Sequence, residues 1–77
     1  MVQAYILVQT EVGKAGTVTE AIRSMAETVG VENVTGPYDV VAKVQAETLD
    51  ELGRLVVARV QELPGITRTL TCPVVNV

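Results

Sequence analysis

The sequence of 77 residues contains no histidine, phenylalanine or tryptophan and only one cysteine, Cys72. A lone cysteine cannot form a disulfide within the chain or a C-x-x-C motif. Because histidine is absent, the chain lacks a common general base and metal ligand, and nothing would activate Cys72 as a nucleophile. We therefore expect no catalytic residue, no metal site and no cofactor, and we expect Cys72 to be a small buried apolar residue.

Positive charge and long apolar runs are also scarce. Six basic residues stand against nine acidic ones, which gives a formal charge of −3, and the basic residues are scattered along the chain. An excess of negative charge without a cluster of basic residues is unfavourable for binding a phosphate backbone, so direct nucleic-acid binding is not expected. No apolar run approaches the roughly 20 residues that span a bilayer, and the N-terminus does not resemble a signal peptide. We expect a soluble, cytoplasmic protein without a membrane partner.

The apolar pattern predicts strands and helices in the order βαββαβ. The expected strands cover residues 4–9, 31–34, 40–44 and 66–72, with Pro73 breaking the last strand or marking a bulge at an edge before the tail 74–77. Residues 36–39, Gly-Pro-Tyr-Asp, are typical of a tight turn and imply a hairpin between the second and third strands.

Two capping-box patterns, Thr17–Glu20 and Thr48–Glu51, predict where the two helices begin. Gly30 is expected to end the first helix in a left-handed conformation, and Pro64-Gly65 is expected to stop the second. Apolar residues follow each cap with a helical period: Val18, Ala21, Ile22, Met25, Ala26 and Val29 in the first helix, and Leu49, Leu52, Val56, Val60 and Leu63 in the second.

Two strand-helix-strand units joined by a hairpin describe an α+β, ferredoxin-like fold, with a four-stranded antiparallel sheet and both helices on one face. The other face is then uncovered. On the first strand Ile6 and Val8 point to one side while Tyr5 and Leu7 point to the other, so neither face suits water. The chain is also short enough that its own core is marginal. We expect dimers formed through the sheet faces.

Several segments resemble the effector-binding domain of the Lrp/AsnC regulator family. Residues 35–44, TGPYDVVAKV, are similar to that family's G-x-Y-D turn and the apolar strand after it. Residues 49–56 resemble its second helix, residues 63–66 (LPGI) its L-P-G-V turn, and residues 67–71 (TRTLT) its T-x-T strand, in the same order. The resemblance covers essentially the whole chain.

This resemblance implies a non-catalytic sensor known as the RAM domain, for regulation of amino acid metabolism. In that family the domain dimerises through its sheets, assembles further, and binds amino acids where dimers meet. The family's helix-turn-helix half has no counterpart in these 77 residues, so we expect a single domain, 1–77, without a DNA-binding domain. Such a sensor could join a full-length Lrp/AsnC regulator in mixed assemblies or serve a metabolic enzyme.

The candidate ligand site consists of Gly36, Tyr38, Asp39, Thr69 and Thr71. Gly36 would let a ligand approach the backbone, and Asp39 could accept from an ammonium. Tyr38 could cover the ligand's side chain, while the two threonine hydroxyls could donate to its carboxylate. The alternative is that Asp39 and Tyr38 merely stabilise an ordinary β-turn and that the threonines form a β-branched strand at a partly wet interface.

Two other classes of protein remain open. Small dimeric enzymes of monooxygenase or isomerase type share this topology, but the chain has only isolated carboxylates and no glycine-rich phosphate loop after the first strand. An allosteric adaptor of another family would also fit, and only the Gly-x-Tyr-Asp turn and the Thr-x-Thr strand argue against it.

Overall fold

The computed structural model describes residues 1–76, apart from the side chain of Leu55; the last residue of the tail, Val77, lies outside the described residues. In chain order the elements are β1 (Val2–Thr10), α1 (Ala15–Arg23), β2 (Thr28–Asn33), β3 (Val40–Ala46), α2 (Leu49–Glu51), a π-helical segment (Leu52–Val57), α3 (Ala58–Gln61) and β4 (Ile66–Pro73). The junctions between α2, the π-helical segment and α3 keep right-handed helical angles. These three segments therefore form one second helix, residues 49–61.

The described strands form a four-stranded antiparallel sheet in the order β2-β3-β1-β4. β1 lies in the centre, where Ile6 is paired with Ala42 of β3 on one side and with Thr71 of β4 on the other. β2 and β4 are the edge strands, and Pro73, which has no N–H to donate, ends β4 at the edge. This arrangement confirms the predicted ferredoxin-like fold.

The core lies between the sheet and the helices, which pack on one face. Every second residue of β1 and β3 is buried there, because side chains alternate between the two faces of a strand. The sheet contributes Ala4, Ile6, Val8, Val40, Ala42, Val44 and Ala46, and the helices contribute Val18, Ile22, Leu52, Val56 and Val60, all in one cluster. Each buried Val, Leu or Ile contributes about 1.5–3 kcal/mol relative to exposure.

The first helix is shorter than predicted and begins earlier. It starts at Ala15 after Lys14, so Thr17 lies inside the helix and the predicted Thr17–Glu20 cap is wrong. It also ends at Arg23, not near Gly30, because residues 28–33 pair with β3. Pairing with β3 satisfies the backbone N–H and C=O groups of this segment, which is rich in β-branched residues. This pairing outweighs the helical spacing of its apolar residues. Gly30 consequently lies in β2, and its φ is not among the positive values found at Gly13, Gly36 and Gly65.

The second helix agrees better with the prediction. Thr48 Oγ1 accepts a hydrogen bond from the Glu51 N–H at 3.1 Å, which confirms Thr48 as the N-cap. Leu52, Val56 and Val60 are at most 1% exposed, as their spacing predicted. Leu49 is 59% exposed, so its assignment to the apolar stripe is wrong; it shares the outer surface of the helix with Asp50 and Arg54.

Candidate functional site

The hairpin between β2 and β3 holds three of the five candidate residues. Gly36 has φ +129°, a conformation that other residues rarely adopt, and a Cβ added there would meet no atom within 4 Å. The Val34 N–H donates to the Asp39 carbonyl at 2.9 Å, and the Asp39 N–H donates to the Val8 carbonyl at 2.9 Å. The hairpin is therefore fixed to β1, while the space beside Gly36 is open.

The Asp39 carboxylate binds the end of β1. Its Oδ2 atom accepts from the Thr10 N–H at 2.8 Å and from Thr10 Oγ1 at 3.2 Å. The pairing of β1 with β3 ends at Val8 and Val40. Beyond this point, the Asp39 carboxylate accepts the Thr10 hydrogen bond that a backbone carbonyl of β3 would otherwise accept. Among the described residues, none donates a hydrogen bond to the other carboxylate oxygen of Asp39, Oδ1. Asp39 thus has the turn-stabilising role considered above and keeps one oxygen free to accept from a ligand.

A second polar connection runs from the hairpin across the end of the sheet. Gln9 Nε2 donates to the Pro37 carbonyl at 3.4 Å, and Gln9 Oε1 accepts from Thr67 Oγ1 at 3.2 Å. Tyr38 lies beside Pro37 and is partly buried. The sequence pointed to neither Thr10 nor Gln9, because their roles depend on the strand register, for which the local pattern carries no signal.

Thr69 and Thr71 lie apart from the hairpin in a single chain. They are paired with Val8 and Ile6, so they sit on the helix side of β4, where both are partly buried. Thr69 Oγ1 accepts from Gln61 Nε2 at 3.3 Å. Because β1 separates β4 from β3, the threonines are two strand spacings, about 10 Å, from β3. One chain brings Gly36, Tyr38 and Asp39 together but not the two threonines, and the binding role of all five stays a prediction.

The sheet face opposite the helices is uncovered in the single chain, and we call it the open face. Its apolar residues are Tyr5, Leu7, Val41, Leu70 and Cys72, of which Tyr5 is 41% and Leu70 46% exposed. Lys43 lies with its Nζ 5.5 Å from the centre of the Tyr5 ring, a cation–π contact. Cys72 is exposed on this face, so the expectation that it is buried is wrong: β4 is an edge strand, and Cys72 faces away from the helices.

A cavity of about 230 Å³ lies at the end of the sheet opposite the hairpin. Its walls include the buried Val56 together with Glu27, Gln45 and Ala46. Glu27 accepts a hydrogen bond from Arg59 at 2.5 Å, and this bond lowers the pKa of the Glu27 carboxyl below its ordinary value. None of the five candidate residues lines this cavity, which the sequence pattern did not indicate.

Two further findings concern metal ions and membranes. Among residues 1–76, no group of three histidine, cysteine, aspartate or glutamate side chains is placed to hold a metal ion. In the same part of the chain, no helix has the length and apolar character needed to cross a membrane.

Known proteins resemble this chain in both sequence and structure. An uncharacterised helix-turn-helix-type transcriptional regulator of Pyrococcus horikoshii is 31% identical over 71 residues, which cover 88% of this chain and 47% of that protein. The chain thus spans about half the length of the curated relatives it matches.

Among solved structures, TTHA0845 from Thermus thermophilus has a TM-score of 0.91 and 31% identity, covering 100% of this chain and 96% of that chain. The transcriptional regulator NMB0573 of Neisseria meningitidis, solved as an L-Met complex, has a TM-score of 0.81 and 18% identity over 97% of this chain and 50% of its own. The second likeness shows the fold alone.

The family model described as the Lrp/AsnC ligand binding domain matches residues 3–77. This match spans the hairpin, the second helix and the Thr-x-Thr strand on which the resemblance rested. Relatives of this kind are transcriptional regulators, so the match also favours a regulatory module over an enzyme. The chain belongs to the Lrp/AsnC ligand-binding domain family.

Proposed function

We propose that this domain senses an amino acid and transmits the signal through its assembly with other copies. The observation that carries the proposal is the hairpin, which holds both Gly36, an unhindered glycine with positive φ, and Asp39, whose carboxylate has one oxygen that accepts no hydrogen bond from the described residues. An α-amino acid offers an ammonium that such an oxygen can bind, and close backbone approach suits its small main-chain part. The family membership and the L-Met complex of the neisserial regulator support this choice of ligand.

In this proposal the ammonium of the amino acid binds Asp39 Oδ1, while Oδ2 keeps its bonds to Thr10. Tyr38 packs against the ligand's side chain. The hydroxyls of Thr69 and Thr71 donate to the ligand's carboxylate; because these residues are remote from the hairpin within one chain, they come from another copy. The complete site therefore forms only in an oligomer.

The proposed assembly is a homodimer through the open face, with further association of dimers. Tyr5, Leu7 and Leu70 form an apolar surface there that water solvates poorly, and a second copy would cover it. The second proposed partner is a full-length Lrp/AsnC regulator, since it would carry a domain of the same kind. The chain's charge of −3 and its scattered basic residues argue against direct nucleic-acid contact.

A thermal-shift screen against the twenty amino acids tests the ligand. An amino acid that binds the folded state preferentially raises the melting temperature with increasing concentration, by the free energy RT ln(1 + [L]/Kd). We expect one amino acid or a few chemically similar ones to do so. A melting temperature unmoved by all twenty at millimolar concentration contradicts the proposal.

Sedimentation velocity tests the assembly separately. We expect a dimer or larger species at micromolar concentration, whereas a stable monomer of about 8.2 kDa throughout that range refutes the sheet-face interface.

A further inference from the structure

The cavity at the end of the sheet opposite the hairpin combines apolar walls with carboxylates, and we call it the acidic cavity. The buried residues Val56 and Ala46 contribute apolar surface, and the exposed residues Met1 and Ala26 add more. The ammonium of Met1 forms no ion pair with any described residue. The volume of about 230 Å³ is below the roughly 300–1,000 Å³ of pockets for drug-sized molecules, so the cavity suits a small ligand.

Three carboxylates line the acidic cavity, and two of them are available to a ligand. Glu27 is held by Arg59 at 2.5 Å. In the described part of the chain, the carboxylates of Glu47 and Glu51 take part in no ion pair or hydrogen bond, since the cap at Thr48 uses only the backbone N–H of Glu51. The described lining residues include no lysine or arginine, so the cavity keeps negative charge that its own walls do not neutralise.

Contacts within a single chain fix the walls of the acidic cavity. The Gln45 N–H donates to the Glu27 carbonyl at 2.9 Å, which joins β3 to the turn after α1, and the ion pair of Glu27 with Arg59 joins that turn to the second helix. The π-helical segment begins directly after Glu51 and supplies Val56 to the cavity. Single π-helical turns within helices occur frequently at functional sites. The acidic cavity is therefore complete in one copy, unlike the amino-acid site proposed at the hairpin.

We propose that the acidic cavity binds a small organic cation: a primary amine with a short aliphatic chain and no carboxylate. Its ammonium donates charge-assisted hydrogen bonds to Glu47 and Glu51, and its aliphatic chain packs against Val56 and Ala46.

Two other classes of ligand fit the acidic cavity less well. An α-amino acid would bring its own carboxylate close to the same negative charges, so this cavity and the hairpin select different ligands. A metal ion is disfavoured because no group of three carboxylates among residues 1–76 is placed to hold one. The proposal is thus separate from the amino-acid sensing proposed above and does not depend on it.

An NMR titration of the ¹⁵N-labelled full chain with 3-methylbutylamine tests the site. We expect a dissociation constant in the millimolar range, which is reasonable for a ligand of this size. Saturable shifts should appear at the backbone amides that border the cavity, namely Glu27, Gln45, Glu47, Glu51 and Val56. Absence of saturable shifts at these amides overturns the proposal.

Two related probes separate the charge from the aliphatic chain. 3-Methylbutan-1-ol keeps the chain without the charge, and methylamine keeps the charge without the chain, so each should bind about tenfold more weakly than 3-methylbutylamine or worse. Equal binding of the alcohol would show that the carboxylates do not hold the ligand. Equal binding of methylamine would show only adventitious attraction of a cation to a negative surface. Either result overturns the proposal.

Replacement of the two available carboxylates provides the matched comparison. The double variant E47Q/E51Q keeps the size of both side chains, and we expect its dissociation constant for 3-methylbutylamine to rise about tenfold or more. Glu47→Gln alone changes an exposed side chain and should give a smaller increase, of about threefold. The control Glu62→Gln removes an exposed charge that does not line the cavity, and it should leave the dissociation constant unchanged. An unchanged constant in E47Q/E51Q, or an equal increase in Glu62→Gln, contradicts the proposal and leaves the amino-acid site at the hairpin unaffected.

Discussion

Replacement of Asp39 distinguishes its structural role from its proposed role in binding. Asp39→Ala removes the acceptor at 2.8 Å from the Thr10 N–H and 3.2 Å from its hydroxyl. Hydrogen bonds to charged groups contribute about 1.5–3 kcal/mol, and partial exposure of this pair favours the lower end. We expect the free energy of unfolding to fall by about 1–2 kcal/mol, which corresponds to a decrease of about 5–15 °C in melting temperature for a domain of this size.

Asp39→Asn is the informative companion, because its amide oxygen can still accept from the Thr10 N–H while the charge is lost. We expect it to cost only about 0.5 kcal/mol of stability. Its affinity for the cognate amino acid should nevertheless fall by about 1.5–3 kcal/mol, as should that of Asp39→Ala, because the ammonium loses a charged partner. Thr71→Val should weaken binding by less, since a neutral hydroxyl contributes a weaker bond.

Urea unfolding without ligand and calorimetric titration with it provide the two numbers for each variant. Unchanged affinity in Asp39→Asn would show that the carboxylate does not bind the ammonium and that Asp39 acts only in the turn. Unchanged stability in Asp39→Ala would contradict the role of the Thr10 contact.

Three further predictions concern stability and nucleic-acid binding. Gly65 has φ +94°, and a Cβ added there would lie 2.9 Å from Lys14 Cβ. Gly65→Ala should therefore lower the free energy of unfolding, measured in urea, by about 1–3 kcal/mol. The control Gly16→Ala should be neutral or stabilising, because Gly16 lies in a helix and a Cβ there would meet no atom within 4 Å. Arg59 lowers the pKa of Glu27, so this pair stabilises the fold above the ordinary carboxyl pKa of 4.5, and its contribution is lost as pH falls through the lowered folded-state value. The stability difference between the wild type and Glu27→Gln should therefore shrink in acid, and a difference that grows would contradict the pairing. In gel-shift assays at moderate salt, the purified chain should show no sequence-specific retention of duplex DNA, and salt-sensitive specific binding would overturn this expectation.

The sequence predicted the fold well where packing and local pattern agree. The apolar alternation of β1 and the spacing of Leu52, Val56 and Val60 both describe faces that the core covers. Residues 24–30 were misassigned to the first helix: residues 24–27 form a turn, and residues 28–30 belong to β2, which pairs with β3. The end of the helix and the start of β2 depend on hydrogen bonds between strands, which the local sequence pattern does not reveal.

The candidate site was predictable only in part. The Gly-Pro-Tyr-Asp pattern located the hairpin, since a tight turn needs a residue that tolerates the left-handed region, as Gly36 does. The contact of Asp39 with Thr10 was not predictable, because it joins residues 29 positions apart. The distance of Thr69 and Thr71 from the hairpin likewise follows from the strand order, in which β1 separates β3 from β4.

An NMR titration of the uniformly ¹⁵N-labelled domain with the amino acid selected by thermal shift tests the central claim most directly, because it locates the ligand as well as detecting it. The account predicts saturable shifts of the backbone amides at Gly36, Tyr38, Asp39, Thr69 and Thr71, with a common dissociation constant. Saturable shifts confined to the cavity around Val56 and Glu27, or no shifts with any of the twenty amino acids, would contradict it.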